Sequence, residues 1–174
     1  YWVFYTTNHF EMLIMKSICD QINKKIELYE LMLLQLKGLL EAGSNWIENL
    51  ANSAALLYET LTDTVFAYYY LFDEGELILC PFQGRVSCTR IKLGKGVCGE
   101  AAEKNQTMIV ANVKEHENYI SCDSAAMSEI VVPMKAGDQL LGVLDLDSSQ
   151  IGSYDAIDQT YLEAFAQLLI DSNK

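Results

Sequence analysis

Positive charge is what this sequence has least of. Twelve Lys and Arg residues stand against 24 Asp and Glu residues in a chain of 174, a formal net charge of −12 at pH 7. Nucleic-acid phosphates are held by Lys and Arg, so this balance argues against a nucleic-acid partner and against an anionic membrane surface. Long apolar runs are missing too. No stretch reaches the ~18 uninterrupted apolar residues of a membrane-spanning helix. The opening, YWVFYTTNHFEMLIMKS, has no basic region before its apolar part and makes a poor signal peptide. It does not begin with Met, whereas Met12 and Met15 would be natural starts. Residues 1–14 are therefore read as an upstream extension or disordered tail, and 15–174 as one domain. Five cysteines are an odd number without the regular spacing of small secreted domains. The compartment is read as reducing and cytoplasmic. No internal repeat or linker divides the chain.

What is present is apolar and patterned. Hydrophobic residues make up 51% of the chain, so it should fold around a sizeable core. Ile26, Tyr29, Leu33, Leu36 and Leu40 recur at helical spacing between Lys24 and Ala42. Gly43 should end that helix and Ser44 should cap the next, whose stripe is Trp46, Leu50, Ala54, Leu57 and Leu61. The period then changes. TVFAYYYLF and ELILCPF read as a β-hairpin, the glycine-rich stretch after them as a loop, and GVCGEAAEKN as a short helix. QTMIVANV is a short strand, KEHENYISCDSAAM a polar loop, and SEIVVPMK and LLGVLDLDS a second hairpin. A helix capped by Asp155 closes the chain, with Tyr161, Phe165, Leu168 and Leu169 on its buried side. Hairpins covered by terminal helices make an α+β architecture.

Two groups of residues suggest chemistry. Cys88, Cys98 and Cys122 sit among Ser, Thr, Asp and Gly rather than in the apolar surroundings usual for buried cysteine. They suit a metal site, a disulfide staple or a redox relay, or are incidental. Zinc is weakly supported: His116 is near in sequence, but no cysteine pair has the tight spacing of common zinc sites. Cys98, near a helix N-terminus and beside Lys95, is expected to have a lowered pKa. Asp123 beside Cys122 would act the other way. The second group is acidic. Leu144 and Leu146 should point to the helices, leaving Asp145 and Asp147 on the opposite face, where the next strand can add Glu129. An open sheet face would simply be polar there. In strands otherwise so apolar, clustered acids fit a pocket better. Such carboxylates repel, so at least one should titrate high enough to donate a proton near neutral pH.

The motifs CPFQGRVSCTRI, GKGVCGEAA, ISCDSAAMSEIVVP and GVLDLDS, in this order, resemble those of the free methionine-(R)-sulfoxide reductases, a family of GAF domains. The likeness runs from about Leu33 to the C-terminus. It implies a single GAF domain with a six-stranded antiparallel sheet flanked by N- and C-terminal helices. It also implies a cofactor-free oxidoreductase that reduces the R epimer of free methionine sulfoxide and is recycled by thioredoxin. Carried across, the catalytic cysteines are Cys88, Cys98 and Cys122, the substrate-binding acids Glu129, Asp145 and Asp147, and the aromatic pair Phe66 and Tyr70. Cys122 is then taken as nucleophile and Cys88 as resolving thiol, with Cys98 the alternative for either role. The family usually has Trp at Phe66 and Gly at Tyr68, so the pocket here should be more crowded. A non-enzymatic GAF module that senses redox state or binds a small ligand is the rival reading. A third, weaker reading is a pure dimerisation domain built on the N-terminal helices, and a homodimer is a further expectation.

Overall fold

The computed structural model describes residues 2–40, 45–122 and 124–173. Gly43, Ser44 and Asp123 lie outside these residues. The elements run α1 (Trp2–Leu40), α2 (Trp46–Thr60), β1 (Thr64–Asp73), β2 (Glu76–Gly84), β3 (Arg90–Lys92), α3 (Gly96–Lys104), β4 (Met108–Val110), β5 (Ser128–Ala136), β6 (Gln139–Ser148) and α4 (Ala156–Ser172). The strands form one antiparallel sheet in the order β3-β2-β1-β6-β5-β4. This is the α+β arrangement expected. Two details differ from the sequence reading. The stretch read as loop after β2 contains β3, and the first helix is continuous from Trp2 rather than starting near Lys24. Residues 2–14 form its first turns.

Helices α1, α2 and α4 cover one face of the sheet. Tyr29, Leu36, Leu50, Leu57, Leu162, Phe165 and Leu169 meet Ala67, Tyr69, Ile130, Val132, Leu144 and Leu146 in the larger core. The buried side of α4 is centred on Leu162, Phe165 and Leu169, and Tyr161 and Leu168 flank it. Caps fix where the helices begin. Asn45 caps α2: its side-chain oxygen accepts from the Glu48 N–H at 3.1 Å, and Glu48 returns the bond to the Asn45 N–H at 2.9 Å. Asp155 and Asp158 make the same reciprocal pair at the start of α4. Tyr29 then donates to Asp158 Oδ1 at 2.6 Å, and Lys25 reaches Asp158 Oδ2 at 2.6 Å. These bonds tie α1 to the head of α4. Met12, Met15 and Ile18 are exposed on the N-terminal part of α1.

The other face is covered by α3 and two loops. Phe66, Tyr68, Tyr70, Val131 and Val143 pack there with Val97, Cys98 and Ala101 in a second, smaller core. Central strands are therefore buried on both sides, and a polar residue on this second face is enclosed rather than solvated.

Candidate active site

Strand register sets the acids in one row. Asp147 lies opposite Phe66 on β1 and Glu129 on β5, and Asp145 lies opposite Tyr68 and Val131. Leu144 and Leu146 point to the helices, as alternation requires. Glu129 and Asp145 are 5% exposed and Asp147 is 9% exposed, which rules out a solvated polar face.

Helix α3 lowers Cys98 onto this row. Gly99, the next residue, allows it: a Cβ there would collide with the Lys92 carbonyl, so only glycine lets the helix start this close to the β3 strand. The Cys98 thiol donates to Asp145 Oδ2 at 3.1 Å and reaches Glu129 Oε1 at 3.9 Å. Asp145 Oδ1 is buried with no hydrogen-bond partner among the described residues.

Burial dominates the electrostatics. It raises the Glu129 carboxyl well above its usual range, with Asp145 and Asp147 adding to the rise. Burial pushes Asp145 up to about 7, against the opposing effect of the Cys98 hydrogen bond. Cys98 is raised well above the usual thiol value by burial and by the neighbouring Asp145 and Glu129. The lowered pKa expected for Cys98 is therefore wrong. The helix N-terminus is present, but desolvation and two carboxylates from other strands outweigh it.

Two loops close the site. A disulfide joins Cys88, after β2, to Cys122, before β5, with Cα atoms 5.5 Å apart. Tyr70 donates to the Cys88 carbonyl at 3.0 Å and bonds Ser87 Oγ at 2.9 Å. Tyr68 donates to the Arg85 carbonyl at 3.0 Å. The second loop is anchored to α3 through Glu100, whose Oε1 lies 2.9 Å from both His116 Nε2 and Asn118 Nδ2. Lys104 bonds the other Glu100 oxygen at 2.7 Å, and these contacts hold that carboxyl down at about 2. His116 is thus a loop anchor. Between the loops and the sheet lies a cavity of about 30 Å³, lined among others by Tyr68, Tyr119, Cys98, Cys122, Asp145 and Asp147.

The sequence profile of the GAF domain family matches residues 47–169. The free methionine-R-sulfoxide reductase of Escherichia coli K12 is 40% identical over 145 residues, covering 83% of this chain and 88% of that protein. The chain belongs to this family. The Saccharomyces cerevisiae free methionine-R-sulfoxide reductase is also 40% identical, over 158 residues, covering 86% of this chain and 87% of its own. The X-ray structure of the Neisseria meningitidis free methionine-R-sulfoxide reductase in complex with its substrate superposes with a TM-score of 0.83 at 40% identity, covering 86% and 90% of the two chains.

Of the residues that the family resemblance pointed to, Phe66, Tyr70, Cys98, Cys122, Glu129, Asp145 and Asp147 line the one cavity. Cys88 reaches it through its bond to Cys122. Sequence reasoning missed Tyr119, which also lines the cavity and whose hydroxyl is pushed up to about 12 by burial, Asp147 and Glu129. Its only signal was an aromatic residue three positions before Cys122 in a polar loop. Cys98 Sγ and carboxylate oxygens of Glu129 and Asp145 lie within 4.8 Å of one another, near enough to share a metal ion. All three carry raised pKa values, so binding a metal would first require them to give up protons. Cys80 packs at the edge of the larger core, and Cys19 is exposed on α1.

Proposed function

We propose that the chain reduces free methionine-(R)-sulfoxide to methionine with its own thiols. One observation carries this reading: Cys122 faces a pocket holding three buried carboxylates and is paired with Cys88. In the reduced protein the Cys122 thiolate attacks the substrate sulfur. A protonated carboxyl, Glu129 or Asp145, delivers a proton to the sulfoxide oxygen. The oxygen ends on Cys122 as a sulfenic acid, and the substrate leaves as the thioether. Substrate sulfur gains two electrons and Cys122 sulfur loses two. Cys88 then attacks the sulfenic sulfur, the S–S bond forms, and hydroxide departs with a proton as water. An ionised member of the acid row is suited to the ammonium of a free amino acid. Cys98 is less suited as nucleophile, because its thiol is kept protonated against Asp145.

Thioredoxin is the proposed reductant of the disulfide, with no bound cofactor. The cytoplasm is the proposed compartment, which fits the free thiols of Cys19, Cys80 and Cys98. No helix among the described residues is long and apolar enough to cross a membrane. A homodimer through the exposed apolar residues of α1 is the proposed assembly. The deciding experiment couples thioredoxin and its reductase to NADPH and supplies the sulfoxide epimers separately. Oxidation of NADPH with the R epimer alone is expected. No consumption with either epimer defeats the enzyme reading in favour of a ligand-binding sensor.

A further inference from the structure

The pocket is too small for the ligand its chemistry suits, and Tyr68 is among the side chains that fill it. Its 30 Å³ is room for about two water molecules, at roughly 10–15 Å³ each. A free amino acid of about ten non-hydrogen atoms needs several times that space. On β1 three aromatic residues point into the site: Phe66, Tyr68 and Tyr70. Tyr68 is the middle one and stands directly across from Asp145. It is 1% exposed. Its ring stacks on Phe66 at 5.2 Å and tilts against Phe82 at 5.3 Å. Its hydroxyl is bonded to the carbonyl of Arg85, in the loop that carries Cys88. Gly84, Arg85 and Val86 are exposed, so this anchor lies at the surface. Tyr69 provides the contrast. It points to the opposite face, where its hydroxyl meets Ser53 at 2.9 Å in the larger core.

We propose that Tyr68 is the specificity-determining residue of this pocket: a plug in front of Asp145 that must swing out, releasing Arg85, before a methionine-sized ligand is admitted. The inference rests on the function proposed above for the identity of the ligand. Its physical content is a conformational tax. The observed affinity equals the intrinsic affinity reduced by the fraction of molecules with the plug open. Closing it gains ring contacts with Phe66, Tyr70 and Phe82 and a hydrogen bond, so that fraction is small. Removing the ring abolishes the tax. Removing only the hydroxyl lowers it, because the ring stays and the tether to Arg85 goes.

The test is calorimetric titration of L-methionine into the dithiothreitol-reduced wild type, Tyr68→Ala, Tyr68→Gly and Tyr68→Phe. Steady-state kinetics on methionine-(R)-sulfoxide are run in parallel. Tyr68→Ala and Tyr68→Gly are expected to bind at least about tenfold more tightly than the wild type, and Tyr68→Phe about threefold. KM is expected to fall with the dissociation constant while kcat stays within about threefold. A tyrosine that only supported the fold would give the opposite sign, with weaker binding on truncation. Equal or weaker binding in Tyr68→Ala and Tyr68→Gly overturns the plug, and so does failure of all four proteins to bind L-methionine. If the truncations do not fold, Tyr68→Phe decides: binding no tighter than the wild type overturns the proposal. Tighter binding in the variants with no sulfoxide reduction by any of the proteins upholds the plug and sinks the reductase reading instead.

Discussion

Replacing Asp145 with Asn should make the protein more stable, and increasingly so as the pH rises. Asp145 is raised by burial from an ordinary 3.8 to about 7. In the unfolded chain it ionises at the ordinary value. Between those two limits the native state holds more protons than the unfolded state. Stability therefore falls with rising pH across this window, and the loss is complete above about pH 7. The gap is ~3 pH units, worth about 4 kcal/mol at ~1.4 kcal/mol each. Glu129 adds to the difference and does not subtract from it, because it titrates lower once the Asp145 charge is gone. Asn retains an oxygen to accept the Cys98 thiol and cannot ionise. The assay is urea unfolding of the disulfide-intact wild type and Asp145→Asn at half-unit steps from pH 4.5 to pH 8. The difference in unfolding free energy should grow in favour of Asn by a few kcal/mol over that range and level off above pH 7.5. A difference that stays flat with pH would show that Asp145 is ionised throughout, and the account of the acid row would fail with it.

Other consequences are quicker to test. Cys122→Ser should abolish turnover, whereas Cys88→Ser should release about one methionine per site in a single burst and then stall; full steady-state activity of Cys122→Ser would move the nucleophile to Cys98. N-acetyl-methionine sulfoxide lacks the ammonium and should react tenfold to hundredfold more slowly, on the order of 1.5–3 kcal/mol of lost interaction; equal rates would show that the acids do not read the amine. Gly99→Ala should lower thermal stability by roughly 1–3 kcal/mol and displace Cys98, since the added Cβ meets the Lys92 carbonyl; an unchanged melting temperature would mean that α3 shifts freely.

The alternation in GVLDLD was enough to separate Leu144 and Leu146 from Asp145 and Asp147, because a strand with one face in a core has no other register available. The hairpins were legible for the same reason. Strand β3 was not: three residues, two of them charged, carry no periodic signal. The length of α1 was also hidden, since its first turns are rich in aromatic and β-branched residues without an amphipathic stripe. In the site, the chain's own pattern grouped the acids, but the pairing of Cys88 with Cys122 came only through family likeness. The electrostatics of Cys98 were misjudged because the neighbours that decide them, Glu129 and Asp145, are 31 and 47 residues away in sequence. Local sequence reports the helix end and is silent about what packs over it.

The sheet finishes on both sides in strands of three residues, β3 and β4. A neighbouring molecule approaching either edge would meet a three-residue strand first, with few free backbone groups to pair with. Short edges of this kind are a defence against strand-to-strand accretion. The two longest strands, β1 and β6, which are apolar enough to template it, lie in the middle of the sheet. Concentrated samples should accordingly resist fibril growth while the fold is intact. The homodimer proposed through α1 would leave both edges of the sheet out of the contact.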